Sequence, residues 1–233
     1  MTTLGVGALL AGYRLDAVLG QGGMGCVYRA THTKLGRQVA VKVLADALAA
    51  QEEFVSRFLS EAKIVNDVRH PNIVDVSDLI ELESPRRVAY VMEFIEGPSL
   101  AGVLKKRPLS VRQAMNVGLQ LASALEAVHA LNVVHRDLKP DNVLVTGDLS
   151  SDLSAVPSVK ILDFGIAKVP DHGGQHKTIT GSILGTPSYM APEQVAAGPV
   201  SAATDVYAIG EIVYEMIAGR RLFRGEQMAI LRA

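Results

Sequence analysis

The 233-residue sequence has one cysteine, no tryptophan and no excess of charge of either sign. The single cysteine, Cys26, can form no intrachain disulfide and can supply no zinc cluster, so we predict a reducing compartment such as the cytoplasm. The chain has 23 Lys and Arg residues against 24 Asp and Glu residues, a net charge of −1. Such a chain has no basic field to hold nucleic acid or an anionic membrane surface.

Long hydrophobic runs are also missing. No segment approaches about 18 continuous apolar residues, so we predict that this chain does not span a membrane. No Lys or Arg precedes Leu9 and Leu10, as a secretory signal would require. The 48% hydrophobic content nevertheless excludes a disordered chain and supplies enough apolar side chains for a sizeable core.

The apolar pattern changes along the chain from strand-like to helix-like. Period-two alternation predicts strands at about residues 13–19, 27–30, 39–43, 73–82 and 88–94, with one helix at about 52–68. After a break at Gly97, a capping box of Ser110 and Gln113 predicts a helix to about residue 130, and a second helix lies near 203–218. We therefore predict an α+β fold with a loose tail at 1–12, a strand-rich lobe at 13–95 and a helix-rich lobe at 96–233.

A glycine-rich segment joins the first two predicted strands. Gly20, Gly22 and Gly25 have the spacing of a dinucleotide-binding turn, but a strand-like segment follows Gly25 where that turn needs a helix. A Walker A loop needs Lys after its last glycine, and here the residue is Cys26. The remaining interpretation is a hairpin whose bare backbone can approach phosphates.

Lys42 and Glu61 are predicted to form a pair. Lys42 lies in the third predicted strand, and the helical spacing places Glu61 among the apolar residues Phe58 and Val65. An unpaired Glu would be costly on that face, so a charge partner is expected. The alternative is a Glu on a solvated helix side and a Lys at a strand end.

Three further motifs follow in order. Residues 135–142 read HRDLKPDN, residues 163–165 read DFG and residues 185–193 read GTPSYMAPE. An Asp that orients a hydroxyl, a Lys two positions later that neutralises a phosphoryl group and an Asn five positions later that holds a cation form one coherent set. With these motifs the sequence resembles a eukaryotic-type protein Ser/Thr kinase over roughly residues 13–225.

The resemblance implies a bilobal kinase fold and a reaction that needs ATP and Mg²⁺. Gly20, Gly22 and Gly25 would cover the phosphates of ATP. The metal would be held by Asn142 and Asp163.

The same resemblance implies the catalytic roles. Lys42 would contact the α- and β-phosphates and would be held by Glu61. Asp137 would be the catalytic base, and Lys139 would steady the γ-phosphate. Thr186 would hydrogen-bond both of these residues.

An adenine site between the lobes is also implied. It would be enclosed by four apolar side chains, those of Leu19, Val27, Ala40 and Leu144. Met92 would be the gatekeeper, and the backbones of Glu93 and Ile95 would bond the base. For residues 27, 40 and 144, plain core packing is equally compatible with the composition.

Other features of the resemblance concern substrate, regulation and support. Lys139 and the Gly-Thr-Pro sequence at 185–187 are typical of kinases that act on Ser or Thr. The segments at 20–25, 70–74 and 191–194 look most like those of the bacterial branch of the family. Protein substrates with Ser or Thr acceptors are the implied partners, and self-association for autophosphorylation at Thr178 or Thr180 is a further expectation. Asp205 would brace the loop at His135 through backbone hydrogen bonds.

Two features depart from the family pattern. Asp163 lies 21 positions after Asn142, which predicts a surface insertion in a Ser-rich loop. The helix-rich lobe looks incomplete at its C-terminus, and the usual Arg partner of Glu193 is absent. The rival interpretation is therefore a nucleotide-binding fragment or regulatory module with little or no turnover.

Overall fold

A computed structural model of the chain describes residues 4–147, 156–163 and 187–223. The chain forms two compact units, and the boundary between them lies between Glu96 and Gly97. Residues 70–73 belong to the second unit, although the sequence placed them in the first lobe. The physical reason is a parallel β-bridge from Ile73 to Ile161 of the second unit.

The first unit is a six-stranded antiparallel sheet with two helices, which agrees with the predicted α+β class. Its strands are β1 (Leu9–Leu10), β2 (Tyr13–Gly22), β3 (Gly25–His32), β4 (Gln38–Leu44), β5 (Val76–Glu83) and β6 (Arg86–Glu93). Their order in the sheet is β1-β2-β3-β4-β6-β5. The helices are α1 (Asp46–Ala49) and α2 (Glu52–Val68). The α2 bounds match the predicted helix, whereas β5 begins three residues later than predicted.

Alternation along the strands separates two faces of this sheet. One face carries the main apolar core, built from residues such as Cys26, Val41 and Val91. The other face carries the residues between them, including Lys42 of β4 and Tyr90 of β6, which are opposite one another in the sheet. The sheet therefore presents Lys42 on the face opposite the main apolar core.

The prediction of a loose tail is wrong for residues 4–12. Leu10 is buried and pairs with Tyr13 in the β1–β2 ladder, and Leu4 packs against the core. The Tyr28 hydroxyl also donates a hydrogen bond to the Leu4 carbonyl at 3.0 Å. The tail is apolar because it covers part of a core that the other strands leave open.

The second unit is mainly helical, as predicted. It contains the helices α3 (Leu100–Leu104), α4 (Val111–His129), α5 (Pro192–Val195) and α6 (Ala202–Ala218), and the strands β7 (Val143–Thr146) and β8 (Ser158–Ile161). Single 3-10 turns cover Pro140–Asn142 and Pro187–Tyr189. The predicted Ser110–Gln113 capping box is present, and α6 ends at Gly219 with φ +66°. Of the predicted surface insertion, residues 148–155 lie outside the described part.

Among the residues that the structure describes, no helix has both the length and the apolar composition needed to cross a bilayer.

The helix α6 carries a buried carboxyl that no sequence pattern indicated. Glu211 is 4% exposed, and its carboxylate oxygens form no hydrogen bond of good geometry with a described residue, although the Tyr207 phenol lies close enough to act as a donor. Burial raises the pKa of Glu211 to about 7; the nearby Tyr207 phenol opposes part of the rise and the Glu215 carboxylate adds to it. Between about pH 4.3 and pH 7, the folded protein would therefore hold a proton there that the unfolded chain, with an ordinary pKa of about 4.3, would release.

We predict that Glu211 makes stability fall as the pH rises. Its contribution is fully present below about pH 4.3 and is lost as the pH rises to about 7, because folding then requires a buried charge. Glu211→Gln should therefore gain stability relative to the wild type between pH 5 and pH 8, by on the order of 1 to 3 kcal/mol. Urea unfolding at the two pH values measures this difference. Glu126→Gln, at an exposed position of α4, is the control; equal shifts for both variants would contradict the prediction.

Candidate active site

The first unit contains the predicted pair of Lys42 and Glu61. The Lys42 Nζ donates to Glu61 Oε1 at 2.9 Å, and the two residues are 8% and 2% exposed. The Tyr90 hydroxyl donates to the same oxygen at 3.1 Å. The Lys42 ammonium also lies 5.4 Å and 5.9 Å from the ring centroids of Tyr90 and Phe58. This burial excludes the alternative of two solvated side chains.

The glycine-rich segment forms the end of a hairpin, as predicted: Gly20 and Gly22 lie in the last residues of β2, and Gly25 opens β3. Gly25 has φ +148°, and a Cβ at this position would lie 1.9 Å from the Val43 carbonyl oxygen. The fold itself therefore requires glycine there. A Cβ at Gly20 or Gly22 would meet nothing within 4 Å, so these two positions leave open space beside the backbone.

Two residues predicted to enclose adenine and the predicted gatekeeper share the sheet face of Lys42. Val27 is opposite Lys42 in the β3–β4 ladder, and Ala40 is opposite Met92 in the β4–β6 ladder. The structure therefore brings residues 27, 40 and 92 together on one face. Leu19 is 51% exposed and lies at an irregularity of the β2–β3 ladder.

The segment after β6 is fixed by a double link between Glu93 and Asp75. The Glu93 backbone N–H donates to the Asp75 carbonyl, and the Asp75 N–H donates to Glu93 Oε1, both at 2.9 Å. Because the Glu93 N–H already donates to Asp75, the predicted hydrogen bond from the Glu93 backbone to adenine would have to be made by the Glu93 carbonyl oxygen. Ile95, two residues on, is half-buried.

The second unit gathers Asp137, Lys139 and Asn142 around one carboxylate. Asp137 Oδ2 accepts from Lys139 Nζ and from Asn142 Nδ2, each at 3.1 Å. The Asn142 amide also donates to the Asp137 backbone carbonyl at 2.9 Å. The Asp137 and Lys139 side chains are 14% and 17% exposed, so both remain accessible to a substrate.

The loop that carries Asp137 is braced from α6, as the resemblance implied. The buried Asp205 carboxylate accepts the backbone N–H groups of His135 at 2.8 Å and Arg136 at 2.9 Å. His129 Nε2, at the end of α4, is 2.7 Å from Asp205 Oδ2. Sequence reasoning missed His129, and no spacing pattern indicated it.

A second brace, also missed, comes from α5. Arg136 has φ +68°, a left-handed conformation that a non-glycine residue adopts only when its surroundings hold it. The Gln194 amide donates to the Arg136 carbonyl at 2.8 Å. The imidazole of buried His135 accepts the Asp137 N–H at 3.3 Å. The backbone that leads to Asp137 is therefore held by Asp205 of α6 and by Gln194 of α5.

The other predicted residues of this unit are placed as follows. The Leu162 N–H donates to the Asn142 carbonyl at 2.9 Å, so the half-buried Asp163 directly follows a link to Asn142. Leu144 is half-buried in β7, opposite Lys160 of β8. Thr186, like residues 164–165, lies outside the described residues.

Glu193 is linked to α6 by a hydrogen bond. It is half-buried at the first turn of α5, and its Oε1 accepts a short hydrogen bond from the Thr204 hydroxyl of α6. Tyr189 likewise donates to Glu215 of α6, and burial together with that carboxylate raises the pKa of the Tyr189 phenol. A hydroxyl donor of α6 therefore contacts the Glu193 carboxylate.

The sequence model of the protein kinase domain matches residues 13–232. The chain is 42% identical over 224 residues to the serine/threonine-protein kinase Pkn1 of Myxococcus xanthus and 42% identical over 226 residues to PknA of Mycobacterium tuberculosis. These matches cover 96% and 95% of this chain but only 31% and 50% of the relatives. The chain thus spans half the length of these curated relatives or less.

The fold has solved counterparts. The crystal structure of the Mycobacterium tuberculosis PknI kinase domain matches with a TM-score of 0.71 and 28% identity, covering 95% of this chain and 78% of that one. This likeness supports the bilobal kinase fold expected from the sequence.

We predict that the fold tolerates no side chain at Gly25. In Gly25→Ala the added Cβ would overlap the Val43 carbonyl oxygen and the φ of +148° would be strained, so stability should fall by about 2 to 4 kcal/mol. Gly23→Ala is the matched control, because its Cβ meets nothing within 4 Å, and it should change stability by less than about 0.5 kcal/mol. Urea unfolding compares the two variants. Similar losses for both would show that the whole turn, rather than the Gly25 contact, sets stability.

Proposed function

Since this chain belongs to the protein kinase family, we propose that it transfers the γ-phosphate of ATP to Ser and Thr hydroxyls of proteins. The observation that carries the proposal is the Asp137 carboxylate, which is accessible, shared by Lys139 and Asn142, and held on a doubly braced loop. Phosphoryl transfer depends mainly on positioning and on charge stabilisation, and this arrangement provides both.

Asp137 is proposed to orient the acceptor hydroxyl and to take its proton. The neighbouring Lys139 ammonium, 3.1 Å from Asp137 Oδ2, would then stabilise negative charge on the phosphoryl group that the hydroxyl attacks. Asn142 holds the Asp137 carboxylate from the other side. The choice of Ser or Thr as acceptor rests on Lys139, on the Gly-Thr-Pro sequence at 185–187 and on the names of the relatives.

The residues present fit ATP and Mg²⁺. Open space beside Gly20 and Gly22 would let the backbone approach phosphates, and Lys42, fixed by Glu61, would contact them. Asn142 and Asp163 would hold the metal with oxygen ligands, the type that Mg²⁺ prefers alongside phosphate and water. The bound metal would neutralise charge on the phosphates. The described residues contain no group of three or more His, Cys, Asp or Glu side chains that suggests another metal site.

The paired Lys42 and the braced Asp137 favour an enzyme over a nucleotide-binding fragment without turnover. We further propose Ser- or Thr-containing proteins as substrates, a second copy of the chain as the partner in autophosphorylation, and the cytoplasm as the location. An assay of the purified chain with labelled ATP, Mg²⁺ and a generic basic protein tests this function. Label transfer supports it, whereas ATP binding without transfer would favour the fragment.

We predict that Asp137→Asn lowers phosphoryl transfer by about 10² to 10⁴-fold, the usual contribution of a positioned base. Binding of ATP should be nearly unchanged, because the substitution keeps the size of the side chain. Asp141→Asn, an exposed position in the same loop, is the matched control and should keep the wild-type rate. Steady-state kinetics and nucleotide titration measure both effects, and a parallel loss of ATP binding and turnover would rule out a proton-transfer role.

We also predict autophosphorylation at Thr178 or Thr180, both outside the described residues. The cationic Arg136 beside Asp137 is a candidate partner for the new phosphate. Mass spectrometry should find phosphate on residues 178–182 of the active protein and none there in Asp137→Asn. Mixing the two proteins should label the inactive copy if the reaction is intermolecular. Phosphate confined to the loop at 150–158 would contradict the prediction.

A further inference from the structure

Two adjacent arginines at the start of β6 hold the segment that leads into α2. Arg86 Nη2 lies 2.6 Å from Glu52 Oε1, and Arg87 Nη1 lies 2.7 Å from Asp46 Oδ1. Strand alternation directs the two arginines to opposite faces of the sheet. Asp46 opens α1 and Glu52 opens α2, so the two ion pairs hold the two ends of one short connection.

This connection joins the two halves of the Lys42–Glu61 pair. Lys42 is in β4, which ends at Leu44, and Glu61 is in α2. Glu61 Oε1 must meet both Lys42 of β4 and Tyr90 of β6, which fixes the depth and the rotation of α2 on the sheet. The segment between β4 and α2 is therefore the place where α2 can be set relative to the sheet.

The two ion pairs are unequal. The side chains of Arg87 and Asp46 are 15% and 31% exposed, whereas those of Arg86 and Glu52 are 39% and 80% exposed. Exposed pairs contribute little because water and salt screen them, and a partly buried pair is screened less. The Arg87–Asp46 pair is thus the stronger constraint.

We propose that Arg87, through its ion pair with Asp46, is a positioning residue for the nucleotide site. It ties β6, the strand that carries Tyr90, to the turn that starts α1 and leads into α2, and so sets α2 where Glu61 reaches Lys42. Its effect on Lys42 is indirect, because Glu61 lies nine residues beyond Glu52, about 13 Å along the helix. The inference rests on the proposed function in assuming that Lys42 contacts ATP.

Kinetics of Arg87→Gln test the proposal. The KM for ATP should rise about 3- to 10-fold while the KM for the protein substrate stays unchanged, because the substitution affects only the contact between Lys42 and ATP. Partial unfolding would instead lower the apparent kcat and leave both KM values unchanged. Arg87→Lys, which keeps one charged donor for Asp46, should recover much of the ATP affinity. Arg86→Gln is the matched control and should change neither KM by more than about 2-fold.

A double-mutant cycle tests whether Arg87 acts through Asp46. Asp46→Asn should raise the KM for ATP as Arg87→Gln does, and the double variant should lose no more than either single variant. Additive losses, or an Arg87→Gln enzyme with wild-type KM for ATP, would overturn the proposal while leaving the proposed function intact.

Hydrogen exchange gives a readout that needs no catalysis. Arg87→Gln should speed amide exchange in residues 52–68 of α2 and leave α4 unchanged, whereas Arg86→Gln should affect neither. Unchanged protection of α2 would overturn the proposal even if the wild-type chain proved unable to transfer phosphate, a result that would reject the proposed function separately.

Discussion

A charged side chain removed from water needs a partner of opposite charge or a set of hydrogen-bond donors, and the first unit is arranged around one such pair. Glu61 Oε1 accepts from Lys42 of β4 and from Tyr90 of β6, so a single carboxylate oxygen links two strands to α2. If α2 moved away from the sheet, Lys42 and Glu61 would each be left as a buried charge without its ion-pair partner. The packing of α2 on the sheet is therefore tied to the geometry that the proposed phosphate contact requires.

The second unit meets the same requirement with backbone donors. Asp205 lies in α6, and two successive backbone N–H groups of the loop before Asp137 satisfy its carboxylate together with His129. This arrangement holds Arg136 in its left-handed conformation, and Gln194 fixes the carbonyl of the same residue. The backbone that positions Asp137 is thus stabilised by residues that take no part in the proposed chemistry.

The sequence predicted what is decided locally and missed what depends on distant contacts. The bounds of α2, the Ser110–Gln113 capping box and the end of α6 follow from spacing and caps within a few residues, and they are confirmed. The tail was wrongly predicted to be loose because its place depends on a core gap that only the assembled sheet creates. His129 and Gln194 bind a carboxylate and a backbone carbonyl far along the chain, contacts that leave no periodic pattern.

Three buried carboxyl groups differ in how many hydrogen-bond donors surround them, and this difference decides whether they position other groups or only affect stability. Glu61 has an ammonium and a phenol as donors, and Asp205 has two backbone N–H groups and an imidazole nitrogen within hydrogen-bonding distance. Both therefore hold other groups in place. Glu211 lies on the same helix as Asp205, but within the described residues its oxygens form no hydrogen bond of good geometry, the Tyr207 phenol offsets only part of the cost, and burial raises its pKa to about 7. A carboxyl in this situation favours its neutral form, so its place in α6 affects the pH dependence of stability rather than the geometry around Asp137.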